Sequence, residues 1–180
     1  ALADLRIGGR KRKVLITAPK NGFFYVIDRT DGRLISAEPI VKVSWATRID
    51  VRTGRPVEVP GARYPDGSTF TLWPSMFGAH SWLPMAYSHF MVKDAGPPYG
   101  TSSLLAWNPV TQRAAWRVAT PGFWNGGVMA TAGNLVFQGQ SDGLFNAYAA
   151  DSGARLWSFE AQAPVTAPPI SYEVDGRQYV

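Results

Sequence analysis

Apolar and polar residues alternate over short distances along this chain, and Gly, Pro, Asn or Asp interrupts the alternation every few residues. That is the pattern of short β-strands joined by tight turns. Leu2 to Ile7 carries apolar residues at alternate or adjacent positions before Gly8-Gly9 turns the chain. Lys13 to Thr17 reads as a buried type of strand. Phe23 to Asp28, rich in aromatic and β-branched residues, reads as its return strand. The Asn-Gly of Ala18-Pro19-Lys20-Asn21-Gly22 predicts the hairpin between them. No segment keeps a long helical period, so the chain is expected to be all-β with little helix.

The densest such pattern runs from Trp124 to Gly143. Trp124-Asn125-Gly126-Gly127 comes first, an aromatic followed by two glycines that let backbone pack close. Two short apolar runs follow, closed by Ala132-Gly133-Asn134 and by Ser141-Asp142-Gly143. The reading is strand, turn, strand, turn, strand, with a Trp at one mouth of the unit.

A repeat runs through the chain. Four segments place an aromatic or apolar residue and then a small or acidic one ahead of a tight turn. They are Val26 to Gly32, Arg48 to Gly54, Ala106 to Gln112 and Tyr148 to Gly153. In the last two, a Trp (Trp116, Trp157) follows four residues after the turn position, and Gln112 and Gly153 lie 41 residues apart. A period of about 40–45 residues built from four short strands is the length of a propeller blade. Asp, Asn and Thr side chains would fix the turns by bonding nearby amides. The two Trp side chains are expected to pack between neighbouring sheets. From Gly54 to Gln112 the spacing stretches to 58 residues. That interval holds two loop-like segments, 59–67 and 94–100. Between them 73–88 is crowded with polar and aromatic residues that lack strand alternation, the kind of loop that carries function on a rigid scaffold.

Composition narrows the picture. With 46% apolar and 17% charged residues, the 180-residue chain is globular. Its 18 Gly and 14 Pro suit a turn-rich β protein. The net charge of +5 raises nucleic acid as a partner. However, the one dense basic cluster, Arg10-Lys11-Arg12-Lys13, is read as a solvated hairpin turn and lacks interleaved aromatics. No cysteine is present, which excludes thiolate metal sites, disulfides and c-type haem attachment within this stretch. No apolar run approaches the ~18 residues of a membrane span. The chain starts without Met inside a strand-like stretch and ends in another, so it is read as a piece of a longer protein.

Three motifs, Ala18 to Arg29, Gly78-Ala79-His80-Ser81-Trp82-Leu83-Pro84-Met85 and Trp124 to Gly143, occur in an order that closely resembles the quinoprotein alcohol dehydrogenases. These use pyrroloquinoline quinone (PQQ) and calcium. The resemblance covers nearly the whole chain. It implies an eight-bladed β-propeller, of which residues 1–180 would be a partial PQQ-binding domain of about four blades, truncated at both ends. It also implies the C-terminal half of a periplasmic enzyme that oxidises a primary or secondary alcohol by hydride transfer to the quinone. Electrons would pass on to a cytochrome c or a quinone.

The resemblance assigns residues. Lys20 matches the basic residue that hydrogen-bonds the quinone oxygens, where a fixed ammonium stabilises developing negative charge. Trp124 matches the tryptophan beside the cofactor plane. Ser81 and Trp82 stand where the family has Asn-Trp against the cofactor, and serine shortens the reach. Lys20, Trp82 and Trp124 are expected to share a central well. No catalytic residue and no metal ligand is carried over, because the family's catalytic Asp and calcium ligands belong upstream. The twin-cysteine motif that covers PQQ is absent, as is a Cys-x-x-Cys-His haem domain, which some relatives append as haem c. The Tyr87 to Leu104 connection is shorter than is usual in the family. His80 reads as a structural loop histidine, His89 has no supporting partner, and Asp142 and Asp151 read as turn-formers. Two rival readings remain: a non-catalytic propeller scaffold that assembles other proteins, and a PQQ-dependent sugar dehydrogenase. The isolated 180-residue piece is expected to be inactive and poorly soluble, with open sheet flanks.

Overall fold

The computed structural model describes residues 1–75, 78–80, 86–87, 91–95, 102–122 and 124–180, with backbone only at 86–87 and 91–95. Among these the chain is all β, as its pattern predicts. It forms two compact units, residues 1–81 with 108–113, and residues 82–107 with 114–180.

The first unit opens with the antiparallel meander β1 (Leu2–Ile7), β2 (Arg10–Thr17), β3 (Phe23–Asp28) and β4 (Leu34–Pro39). A two-residue turn joins β1 to β2: Ile7 pairs with Arg10, and Gly8 and Gly9 sit at φ +57° and +76°. Positive φ at both central residues is what a two-residue hairpin requires, and only glycine adopts it freely. The basic run Arg10–Lys13 is therefore not the turn. It lies on β2, mostly exposed, where Arg12 pairs with Asp28 at 3.2 Å. Val14 and Ile16 beyond it are fully buried, and Leu15 between them is exposed, the period of a half-buried strand. A two-stranded hairpin, β5 (Ala46–Ile49) and β6 (Pro56–Glu58), follows. Phe23, Ala37, Ala46 and Ile49 form the buried core between β3–β4 and this hairpin.

In the chain's next sheet β7 (Ala86–Tyr87), β8 (Met91–Ala95), β9 (Ser102–Asn108) and β10 (Arg113–Thr120) run in consecutive order. The strand β8 extends through Asp94 and Ala95, which the sequence pattern assigns to a loop. After it come β11 (Val128–Ala130), β12 (Leu135–Gly139), β13 (Leu144–Ala149) and β14 (Arg155–Glu160), then the hairpin β15 (Tyr172–Val174) and β16 (Arg177–Tyr179). Strands β11 to β13 are the strand–turn–strand–turn–strand expected behind Trp124. In the second unit Leu104, Ala106, Val128, Val136, Tyr148 and Ala150 make one core.

The four repeated segments are four copies of one hairpin turn. In each, the amide of the fifth residue bonds the carbonyl of the first: Gly32 to Asp28 (2.8 Å), Gly54 to Asp50 (2.7 Å), Gln112 to Asn108 (2.9 Å) and Gly153 to Ala149 (2.8 Å). All four fifth residues have positive φ, including Gln112 at +55°. The first residue's side chain locks three of the turns. Asp28 Oδ1 accepts the Thr30 amide and hydroxyl at 3.0 and 2.6 Å, Asp50 Oδ1 the Arg52 amide at 2.8 Å, and Asn108 Oδ1 the Val110 amide at 2.9 Å. The Thr30 hydroxyl, the Thr30 amide and then Arg12 hold the Asp28 carboxyl below the ordinary aspartate range. Ala149 has no such side chain, and its turn keeps the same backbone frame.

Trp116 does what the repeat predicts. Its indole N–H donates to Ala150 O at 2.9 Å, and its ring lies so close to Gly153 that a Cβ there would come within 2.7 Å of Cε3. Trp157 departs from the prediction. It is half exposed, stacked on Phe159 (6.1 Å, 7° between planes) and edge-on to Phe145 (6.2 Å).

Candidate functional site

In the first unit the predicted cation stands on a loop that is bonded in place from several sides. Asn21 is its organiser. Asn21 Oδ1 accepts the Phe23 amide (3.1 Å), Nδ2 donates to the Tyr25 hydroxyl (2.7 Å), and its carbonyl accepts the Trp45 indole N–H (3.0 Å). Burial pushes the Tyr25 phenol pKa up, and the Asn21 bond works against that. Gly22 turns the chain at φ +95°. Asn-Gly marks the β2–β3 hairpin as predicted, and because Asn21 is not among the positive-φ residues its side chain builds an Asx turn at the hairpin's tip.

The second motif closes on this loop from far along the chain. The Ala79 amide donates to Lys20 O at 3.0 Å, and His80 Nδ1 lies 2.9 Å from Ala18 O. A carbonyl only accepts, so His80 Nδ1 carries the proton, and the ring serves as a strut, the structural role read from the sequence. Gly78, at φ +83°, rides directly on Lys20: a Cβ there would stand 2.5 Å from Lys20 Cβ and 2.8 Å from its Cα. The backbone and stem of Lys20 are thus fixed. Its ammonium is exposed and makes no hydrogen bond or ion pair among the described residues.

Beside Lys20 lies a cavity of about 370 Å³. Its walls are Trp45, Ala62, Leu72, Pro74 and Ser75, and its polar groups come from Lys20, Asn21 and the Glu58–Arg63 pair. Arg63 grips Glu58 with two bonds of 2.6 and 2.5 Å. That grip lowers the Glu58 pKa. Sequence reasoning passed over Trp45 and this pair, and took in Ser75 only as part of the crowded segment 73–88. The only signal was the opposite charges five residues apart across Val59-Pro60-Gly61.

In the second unit Trp124 is presented on a platform of a different kind. The indole is about 45% exposed, while Asn125 beside it is 1% exposed. Asn125 Nδ2 donates to Ser102 Oγ (2.8 Å) and Pro121 O (2.9 Å), and its Oδ1 accepts the Ser141 amide (3.0 Å). The Gly126 amide bonds Gly139 O at 2.8 Å, and a Cβ on Gly126 would stand 2.9 Å from Ala167 O. The glycine after Trp124 is thus there for close backbone approach. Asp142 is a turn-former as predicted, its Oδ1 accepting the Leu144 amide at 3.1 Å. Asp151 lies in the β13–β14 turn.

Lys20 and Trp124 therefore lie one in each unit, each on its own framework. Ser81, Trp82 and His89 lie outside the described residues. Among the described residues no group of three or more His, Cys, Asp or Glu is placed to hold a metal ion.

Comparison with known proteins agrees with this fold. Residues 92–180 match the family model described as the β-propeller domain of PQQ glucose/ethanol/alcohol dehydrogenases. The quinohemoprotein alcohol dehydrogenase ADH IIB of Pseudomonas putida is 46% identical over 99% of this chain. That alignment runs over 214 positions, so at least 34 positions of the relative have no counterpart in these 180 residues. The solved structure of the P. putida quinohemoprotein alcohol dehydrogenase ADHIIG superposes with a TM-score of 0.92 at 38% identity, covering 98% of this chain and 33% of that one. The quinohemoprotein alcohol dehydrogenase of Comamonas testosteroni gives 0.91 at 38% identity, covering 98% and 32%. The chain spans about 31% of the length of the curated relative from P. putida.

Proposed function

From a chain that belongs to the quinoprotein (PQQ-dependent) dehydrogenase propeller family, we propose that it is part of an enzyme that oxidises a primary or secondary alcohol, with PQQ as acceptor. The observation that supports this best is the Lys20 ammonium, held by a locked loop and without a hydrogen bond or ion pair among the described residues. A cation with a fixed stem and a free head suits an oxygen that gains negative charge. A hydrogen bond to such a charged partner contributes about 1.5–3 kcal/mol. The exposed, rigidly mounted indole of Trp124 suits one face of a flat ring and would keep water from it. When bound, PQQ supplies the two-electron acceptor that no side chain here can provide. Lys20 holds the developing charge; Trp124 orients and shields.

The further assignments follow the same reading. Ser81 and Trp82 are proposed as additional cofactor contacts, with the shorter serine reaching less far than asparagine. Calcium and the catalytic base are assigned to segments beyond these residues. Haem c is proposed for the whole protein on the strength of the quinohemoprotein relatives, and a cytochrome c or quinone as electron acceptor. The periplasm is the proposed location.

The test is an assay of the complete gene product reconstituted with PQQ and calcium. Alcohol-dependent reduction of an electron-accepting dye is expected, and glucose should be a poor substrate. Turnover of glucose alone would turn the reading toward a sugar dehydrogenase. No turnover of any primary or secondary alcohol would contradict it.

A further inference from the structure

The four hairpin turns differ at one position whose side chain the fold does not need. In the three turns of the first unit the residue after the positive-φ position is an arginine: Arg33, Arg55 and Arg113. In the second unit it is Ala154. The backbone does the same work with either residue, since the carbonyls of Arg33, Arg55 and Ala154 each accept the amide of the turn's first residue at 2.8 Å. All three arginines are exposed. Arg33 makes only a loose contact with Asp31, at 3.5 Å, and Arg55 and Arg113 form no ion pair among the described residues.

These turns share one end of the first unit. Strands β1 to β4 form an antiparallel meander, so the β1–β2 and β3–β4 turns lie at one end and the Lys20 loop at the other. The β5–β6 turn stands beside the β3–β4 turn, with a cleft of about 710 Å³ between Gly32-Arg33 and Val51 to Gly54. The β9–β10 turn is tied to β4 by Gln112 Nε2, which donates to Ser36 Oγ at 2.7 Å. Further exposed cations join the three arginines: Arg10 and Lys11 after the Gly8-Gly9 tip, and Arg52 on the β5–β6 tip. The carboxylates here are already engaged, Asp4 by Arg29, Asp31 by Arg33, and Asp28 and Asp50 by turn amides. The imbalance belongs to this part of the chain: residues 1–81 hold 13 Lys and Arg against 7 Asp and Glu, and residues 82–180 hold 5 against 6. Two of the tips also carry an apolar residue that is nearly half exposed, Val51 and Val110.

We propose that this end of the first unit docks on a membrane surface rich in anionic phospholipid. Guanidinium groups suit headgroup phosphates, whose oxygens they can bond in pairs. Val51 and Val110 enter the boundary between headgroups and acyl chains, where a short apolar tip between cations is favoured. An acidic protein surface would match the charges and leave the two valines without an apolar partner. The Lys20 loop, at the opposite end of the sheet, then faces away from the lipid.

The test is co-sedimentation of the complete gene product with vesicles of phosphatidylcholine alone, or of phosphatidylcholine with a third phosphatidylglycerol. Wild type is expected to sediment with the phosphatidylglycerol vesicles at low salt, to be released by high salt and to ignore pure phosphatidylcholine. The double variant Arg55→Gln, Arg113→Gln should bind about 30-fold more weakly, the loss of two cations near the surface. The double variant Val51→Ser, Val110→Ser should bind about 3–10-fold more weakly. Lys20→Gln, at the far end of the sheet, should bind as wild type does. Ala154 shows that the turn forms without the arginine, so the arginine variants should fold, which a thermal melt checks. Equal binding of wild type to both kinds of vesicle, or undiminished binding by either double variant, overturns the proposal. So does failure of wild type to bind phosphatidylglycerol vesicles, which would leave these cations to an acidic protein.

Discussion

Residues 19–23 in the first unit and 140–144 in the second form the same turn with different use made of one position. In each, a glycine amide reaches back three residues, Gly22 to Pro19 O (3.5 Å) and Gly143 to Gln140 O (3.2 Å). Each glycine has positive φ, +95° and +88°. In each, an Asn or Asp Oδ1 accepts the amide two residues on, both at 3.1 Å. The residue before the Asn or Asp is Ser141 in one and Lys20 in the other. Ser141 is consumed by the fold, its hydroxyl donating to Pro121 O at 3.0 Å and its amide to Asn125 at 3.0 Å. Among the described residues the Lys20 side chain contributes no such bond. A position that serves structure in one copy of the turn is left free in the other, and that freedom is what a binding residue needs.

The largest effect expected comes from breaking the turn itself. Gly22→Ala would force a side chain into positive φ and place Cβ 2.8 Å from Val43 Cγ2 and 3.2 Å from Pro74 Cδ. Strain and overpacking together should cost about 2–4 kcal/mol in denaturant unfolding. The matching Gly143→Ala meets the Ala163 backbone, its O nearest at 3.2 Å, and should cost about 1–2 kcal/mol, mostly strain. Equal losses would mean that the two turns are not supported differently.

A smaller effect separates the two central side chains. Ser141→Ala should lower stability by about 1 kcal/mol through its lost hydroxyl bond. Lys20→Ala should stay within about 0.5 kcal/mol of wild type, as an exposed position does. Thermal melts without cofactor check both.

The weakest expected effect concerns the hairpin turns, where the first unit has Asp28 and the second has Ala149. The folded-state pKa of Asp28 is lowered, so its stabilisation is present above the unfolded aspartate pKa and is lost as pH falls through the folded value. Asp28→Ala should therefore melt below wild type at neutral pH and converge with it in strong acid. In the second unit Ala149→Asn, supplying the missing acceptor, should raise stability by about 0.5 kcal/mol. A pH-independent gap for Asp28→Ala would show that its ionised bonds to Thr30 and Arg12 do not matter.

How far the sequence could be read follows from the range of each interaction. The four hairpin turns, the strands behind Trp124 and the seat of Trp116 were legible because turn chemistry and strand alternation act over a few residues. The same local logic misplaced Arg10–Lys13 in a turn, because charge density is a poor guide beside the Gly8-Gly9 pair that makes it. It found the β2–β3 hairpin at Asn21-Gly22 but not the bonds of the Asn21 side chain to Tyr25 and Phe23 that hold it. The seating of Gly78-Ala79-His80 on Ala18-Pro19-Lys20 joins segments about sixty residues apart, and no local pattern announces it. The same holds for Asn125, which ties together Ser102, Pro121 and Ser141. Lys20 and Trp124 were found through likeness to a family; the framework that holds each of them became visible only in three dimensions.

The most direct test compares Lys20→Met with Ser141→Ala in the complete gene product, measuring melting without cofactor and PQQ affinity from the quinone absorbance. Lys20→Met should melt with wild type and bind PQQ about 10–100-fold more weakly, while Ser141→Ala should melt lower and, where folded, bind PQQ normally. Lys20→Met that melts low yet keeps full PQQ affinity would show that the ammonium serves the fold and not the cofactor.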